Sequence, residues 1–207
     1  VLYVQDEIAD EYWDYLYEAL QEYTIGDPNL PKVDIGPIIN KNSKNRLMAH
    51  ISALKKSARR TIEHHHKQNK GDLFITPIVF EIDSINQIDE ENFGPILHFI
   101  RYKNENLQQV IDEINNTGYG LTMGVHSRIV SKARRIFEAA NVGNFYFNRD
   151  IVGAVVGVQP FGGQGLSGTG PKAGGPGYLY NFVTEKTYTD NVMATGGNIE
   201  LLNKNAM

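Results

Sequence analysis

The sequence predicts an α/β fold, and three observations carry that expectation. Short apolar runs at 73–80, 96–102, 119–126 and 142–147 read as strands, the last passing into the alternation of Phe145 and Phe147 against Tyr146. Segments with apolar residues at helical spacing lie between them, so that strand, helix, strand, helix and strand follow one another from 96 to 147. That order favours parallel neighbours. Hydrophobic residues make up 41% of the 207 positions, enough for a sizeable core and for one domain or a large piece of a bigger one.

In chain order, residues 1–4 (Val-Leu-Tyr-Val) read as a strand. A helix opens at Asp6 or at Ala9-Asp10 and runs to about Gln21, with Ile8, Tyr12, Tyr15, Leu16, Ala19 and Leu20 as its apolar face. Gly26-Asp27-Pro28 and Gly36-Pro37 turn the chain. A second helix is expected from about Ser43 to Lys70, burying Leu47, Ile51, Leu54, Ala58 and Ile62, with Lys55, Lys56, Arg59 and Arg60 solvated and Gly71-Asp72 at its end. His64-His65-His66 then fall on a helix, where consecutive side chains diverge and cannot hold one metal ion together. They are read as surface histidines, and no metal site is expected.

Residues 73–80 read as a strand that Pro77 places near an edge or bulge. An acidic segment, Asp89-Glu90-Glu91-Asn92-Phe93-Gly94-Pro95, enters a Gly-Pro turn; by chemistry alone Phe93 tucks into the core. Asn104 or Asn106 can cap a helix with Leu107, Val110, Ile111 and Ile114 inside, and Gly118 stops it. Ser127 caps another helix with Ile129, Ala133, Ile136, Phe137 and Ala140 facing inward.

The stretch 144–180 organises the rest. After the strand come Asn148 and Arg149, small apolar residues from Gly153 to Gly157, and a segment rich in glycine and proline with almost no charge. A flexible linker is mostly polar. Here Val155, Val156, Phe161, Leu166, Tyr178 and Leu179 can anchor a packed loop. Gly163, Gly165 and Gly168 match GxGxxG, but a Pro-Phe pair precedes them and Ser-Gly-Thr-Gly-Pro breaks any following helix, so the dinucleotide fingerprint fails. Lys172 follows Pro171 and precedes no Ser or Thr, so it is no phosphate-loop lysine. Ser167 has no histidine at a suggestive spacing and reads as a loop hydrogen-bonding group rather than a nucleophile. Arg149 reads as a structural salt-bridge partner, with carboxylate recognition as its alternative.

The run GAVVGVQPFGGQGLSGTGPKAGGP resembles the C-terminal part of an aldehyde dehydrogenase, and is most similar to the L-glutamate-γ-semialdehyde (Δ1-pyrroline-5-carboxylate) dehydrogenases. Glu90-Glu91-Asn92-Phe93-Gly94-Pro95, Tyr119-Gly120-Leu121 and the Gly143–Asn148 run carry the resemblance along essentially the whole chain. It implies part of a catalytic domain over 1–179, an oligomerisation strand over 180–192 and a tail over 193–207. Residues 184–190 alternate, but both faces are polar. Such a strand needs a partner, which the resemblance places in the N-terminal half of the same polypeptide, within a homo-oligomer. The tail is more similar to bifunctional members, in which a FAD-dependent proline dehydrogenase precedes the aldehyde dehydrogenase. A cytoplasmic protein, peripheral at the inner membrane if bifunctional, is expected.

The resemblance also assigns roles. Glu91 contacts the NAD ribose nearest the nicotinamide, and Phe93 packs beside it; a carboxylate accepts both hydroxyl protons well. Backbone N–H groups of Gly153 and Ala154 hold the substrate's α-carboxylate, as consecutive donors in a nest can, and Phe161 packs on its aliphatic part. The parent would oxidise glutamate semialdehyde to glutamate; the alternative is a non-catalytic scaffold or assembly module derived from this fold. Such oxidation uses a cysteine thiolate, and the chain has none. The cysteine is expected shortly before Val1, with the general base and the dinucleotide domain further upstream. With no cysteine, disulfides and thiolate metal sites within the chain are also excluded. The net charge of -4 gives no nucleic-acid footprint, and no apolar run approaches a membrane span.

The chain by itself is therefore expected not to oxidise glutamate semialdehyde with NAD. One ribose contact contributes about 1 kcal/mol, against roughly 8 kcal/mol for micromolar affinity. The check is formation of reduced cofactor by purified protein. Turnover proportional to protein and retained on repurification would overturn it.

Overall fold

The computed structural model describes residues 1–65, 71–155 and 157–191. His66, Val156, Val192 and the tail 193–207 fall outside the described residues. The architecture is organised by one short strand, β3 (Ile78–Ile82), every residue of which is buried. A strand buried on both faces needs partners on both edges. β4 (Ile96–Tyr102) runs parallel to it on one side and β2 (Arg60–Glu63) antiparallel on the other. β1 (Leu2–Gln5) lies parallel beyond β4, giving the order β1-β4-β3-β2.

Side chains alternate across the sheet. Ile78, Phe80, Ile82 and Ile100 meet Leu47, Ile51 and Leu54 of α2 (Lys41–Ser57) on one face. Val79 and Phe99 meet Ala9, Trp13 and Leu20 of α1 (Ala9–Glu22) on the other. Trp13 packs edge-on against Phe99, with ring centroids 5.4 Å apart. The face of α1 differs from the sequence expectation. Tyr12, Tyr15 and Ala19 are exposed, as is Ile8 ahead of the helix, whereas Trp13 is buried. The true stripe is Ala9, Trp13, Leu16 and Leu20, and the tyrosines are not core.

The second helix also ends earlier than its spacing suggests. It stops at Ser57, and Arg60 and Ile62 belong to β2 rather than to a helical face. The reason lies across the sheet, where Arg60 stands opposite Glu81 in the ladder. The Glu81 side chain is only 4% exposed, and its two oxygens are taken by Arg60 Nε at 2.6 Å and Arg101 Nε at 2.7 Å. Arg101 also reaches Asp10 of α1 at 2.6 Å, and Arg60 stacks over Trp13 at 4.4 Å. Pairing with Glu81 outweighs a few residues of helical propensity. Pro77 precedes β3, which is an interior strand, so no edge or bulge is needed there.

His64 and His65 consequently follow a strand. His64 is buried and its Nε2 lies 3.1 Å from Tyr23 O, while His65 Nε2 lies 2.6 Å from the Tyr17 hydroxyl. The helical placement is thus corrected for both, and the surface placement for His64, whereas His65 is exposed. Among the described residues no group of three potential ligands could hold a metal ion, and no helix is long and apolar enough to cross a membrane.

The second half continues through α3 (Leu107–Asn116), β5 (Tyr119–Gly120), β6 (Thr122–Val125), α4 (Val130–Ala139) and β7 (Asn144–Phe147). β6 and β7 pair in parallel, as expected. Leu107, Ile111 and Ile136 pack on Met123, Val125 and Phe145. The expected strand over 119–126 is split, because β5 pairs instead with β8 (Gln164–Gly165) of the glycine-rich stretch. Asn106 precedes α3 without a side-chain cap bond. Ser127 accepts from Ile129 N–H one turn ahead of α4, and Ile129 and Phe137 are exposed rather than inward. Residues Tyr178–Phe182 form a 3-10 turn instead of strand, and 183–191 carry no ladder among the described residues.

Replacing Arg101 by Ala should destabilise the fold by on the order of 3 kcal/mol, because it strips half the pairing from a buried carboxylate. Urea unfolding provides the measurement. A midpoint unchanged from wild type would show that the Glu81 network contributes nothing.

Candidate functional site

The residues singled out by sequence fall on two loops. The first connects β3 to β4 and lies against α2. Pro95 O accepts from Ile78 N–H of β3 at 3.0 Å, and Ile96 N–H donates to Gly94 O at 2.8 Å. A Cβ on Gly94 would stand 2.8 Å from Leu47 Cδ1, so the turn lies directly on the helix. With its C-terminal end fixed this way, the loop leaves Glu91 exposed and Phe93 79% exposed. The expectation that Phe93 tucks into the core is thus overturned, since Leu47 already fills the space beneath the turn. The two side chains stand as a free carboxylate and a free ring face, which suits a ribose edge and its neighbouring ring.

Two histidines sit between the same helix and strand. His50 Nε2 of α2 lies 2.8 Å from His98 Nε2 of β4, so one imidazole donates and the other accepts. Burial, followed by the neighbouring His50 charge, pushes His98 down to about 4. Burial lowers His50 as well, partly opposed by Asp89 and Glu90 at the start of the acidic loop.

The second loop follows β7. Asn144 and Tyr146 occupy its buried side, while Phe145 and Phe147 are half-buried on the other. The Tyr146 hydroxyl donates to Gly153 O at 2.9 Å. Asn144 Nδ2 donates to Pro160 O at 3.0 Å, and its Oδ1 accepts from Gly162 N–H at 3.1 Å. These bonds bracket Phe161, whose backbone pairs with Ala173. Gly153 has φ +67, a conformation that glycine adopts without strain, and a Cβ there would touch nothing within 4 Å. Val152 N–H is taken by Asp150 Oδ1 and Val155 N–H by Gln159 Oε1, both at 3.1 Å. Among the described residues, the N–H groups of Gly153 and Ala154 between them have no acceptor. One strand therefore secures Gly153, Ala154 and Phe161. No hydrogen bond or ion pair joins these to Glu91 or Phe93 among the described residues.

The glycine-rich segment is a packed loop, but not for the reason expected. Val155, Leu166 and Leu179 are exposed rather than core, although the Leu166 side chain lies beside Gly118. Backbone lies on backbone instead: a Cβ on Gly143 would collide with the Gly162 carbonyl. The GxGxxG glycines contain β8 and open no helix. Ser167 Oγ accepts from Gly120 N–H at 3.1 Å, and Lys172 Nζ donates to Gly143 O. Arg149 reaches Asp150 at 3.5 Å and lies 4.7 Å from the Tyr146 ring centroid. Asn144 and Tyr146 are the residues sequence reasoning passed over. The signal was there in the strand's alternation, because an asparagine and a tyrosine on the inward side of a strand need polar partners.

The sequence pattern of the aldehyde dehydrogenase family matches residues 1–188. The chain belongs to that family. Among its relatives, the bifunctional protein PutA of Klebsiella aerogenes is 44% identical over 193 residues, covering 90% of this chain and 15% of that protein. The 1-pyrroline-5-carboxylate dehydrogenase of a Geobacillus species is 36% identical over 189 residues, covering 90% of this chain and 36% of that enzyme. A solved structure of a Bradyrhizobium japonicum proline utilization A variant superimposes with a TM-score of 0.84 at 49% identity, over 94% of this chain and 20% of that one. The chain thus spans well under half the length of the aldehyde dehydrogenase relatives it matches. The α/β architecture, with its parallel strands, is that family's fold.

The histidine pair gives a pH prediction. A His98 held near 4 in the fold and near 6.5 when unfolded is neutral in the fold where the unfolded chain binds a proton. Stability should therefore fall as pH drops from about 6.5 to about 4, by on the order of 2–3 kcal/mol. Urea midpoints across that range check it, and His98→Gln should flatten the slope. Parallel curves for the two proteins would exclude His98 as its source.

Proposed function

We propose that this chain is part of an NAD-dependent enzyme that oxidises L-glutamate γ-semialdehyde to L-glutamate in proline catabolism. The observation that carries the reading is the pair of unbonded N–H groups at Gly153 and Ala154, flanked by N–H groups that are already satisfied. Unpaired donors on a supported turn suit an anion, and glutamate semialdehyde differs from a simple aldehyde in its charged amino-acid end. Small residues at both positions allow close approach. Phe161 supplies an apolar surface for the aliphatic carbons.

Glu91 and Phe93 fit the edge of a nicotinamide riboside, the carboxylate accepting from ribose hydroxyls and the ring packing alongside. NAD, when bound, accepts the hydride. This chain's residues position the two reactants, whereas the thiolate nucleophile comes from outside a sequence that has no cysteine. Similarity at 44% to a bifunctional protein against 36% to a stand-alone dehydrogenase supports a parent that also carries a FAD-dependent proline dehydrogenase. Residues 183–190 are exposed and without a ladder among the described residues, which fits a strand added to another segment's sheet in a homo-oligomer of a cytoplasmic enzyme.

Introducing leucine at Ala154 in the full-length enzyme should lower kcat/KM for glutamate semialdehyde about tenfold or more, because crowding leaves the carboxylate desolvated and poorly paired. A small neutral aldehyde should change by less than about twofold. Equal losses for both substrates would remove Gly153 and Ala154 from recognition of the carboxylate.

A further inference from the structure

We propose that Tyr146 is a positioning residue for substrate specificity, because its hydroxyl aims the Ala154 N–H at the substrate's carboxylate by holding the carbonyl of the same peptide group. The inference rests on the carboxylate reading of Gly153 and Ala154 above. The C=O of one residue and the N–H of the next share a planar trans peptide and point in opposite directions. The Tyr146 hydroxyl draws Gly153 O toward the buried side of β7. The Ala154 N–H must then face away from the strand, where a ligand can reach it. The same bond removes the carbonyl oxygen from the ligand's side, where its partial negative charge would repel a carboxylate.

The ring of Tyr146 fixes the preceding residues as well. Arg149 lies over its face, with Cζ 4.7 Å from the centroid. Arg149 Nε donates to Asp150 O at 3.1 Å. Asp150 Oδ1 in turn takes the Val152 N–H. One buried side chain thus orders the approach to the turn through its face and the turn itself through its hydroxyl. The left-handed φ of Gly153 makes that support necessary, because glycine imposes little conformational preference of its own. A tyrosine that only filled the core would satisfy its hydroxyl at any convenient acceptor, and its loss would affect all substrates alike.

The test is Tyr146→Phe in the full-length enzyme, assayed beside the Ala154 leucine variant. The phenylalanine keeps the ring and its volume and deletes only the hydroxyl. KM for glutamate semialdehyde should rise about three- to tenfold, the loss of one hydrogen bond's worth of orientation, with kcat within about twofold. Product inhibition by L-glutamate should weaken in parallel. KM for NAD and kcat/KM for a small neutral aldehyde should not move. An unchanged KM for glutamate semialdehyde, or equal losses for both aldehydes, would overturn the proposal. If the Ala154 variant discriminates between the aldehydes and Tyr146→Phe does not, carboxylate recognition stands and the role of Tyr146 falls. If neither discriminates, both fall. Should the phenylalanine variant lower the thermal midpoint, the ratio of the two KM changes remains the deciding quantity, since a general loss of folded enzyme moves neither KM.

Discussion

A carboxylate removed from water must find positive charge, and Glu81 sits in the most buried strand of the sheet. Its demand for two arginines dictates much of what surrounds it. Arg60 is drawn into the ladder opposite it, which turns the segment after α2 from helix into β2. Arg101 comes from β4 on the other side and carries the link on to Asp10, tying α1 to the same face. The opposite face of the sheet carries no carboxylate–arginine network and receives α2 through apolar contacts and the His50–His98 pair. The Glu81 network therefore distinguishes the two faces of the sheet. Such a network specifies an arrangement more than it stabilises one, since burying the charges offsets much of their attraction.

Local pattern made the second half of the fold readable. Residues Ile96–Tyr102 are a short, mostly apolar run, and the following helix and the parallel pairing of β6 with β7 fall within the segments expected. The first half was less legible because tertiary pairing overrode local preference. Leu47, Ile51, Leu54, Ala58 and Ile62 keep perfect helical spacing, yet only the first three share a helix. No local signal announces that Arg60 will face a glutamate twenty-one residues ahead. On α1, the many aromatic residues concealed which of them was inward; Trp13 outcompetes its tyrosine neighbours because it alone lies over Phe99.

The candidate site divides in the same way. Glu91, Phe93, Gly153, Ala154 and Phe161 were located by resemblance of short motifs, which reports residue type and order. What supports them was not visible there. Phe93 stands free because Leu47 occupies the space under Gly94, a fact of helix placement. The glycine-rich segment looked as if it needed apolar anchors, but its order comes from backbone packed against backbone and from two polar side chains of β7. A buried asparagine and tyrosine are easily passed over amid phenylalanines, although their hydrogen-bonding capacity is the more specific property.

Recognition through main-chain donors has an evolutionary consequence. A side chain that grips a ligand can be deleted by any replacement, whereas a peptide N–H survives every substitution except proline. Ala154 can thus drift in identity and crowd or open the turn while its donor persists, whereas Gly153, at φ +67, is held to glycine by its backbone. Change in what the loop accepts is then channelled into its buried supports, where few mutations are tolerated. On the function proposed above, a preference for a charged end belongs to the scaffold that holds the turn more than to any one side chain that lines it.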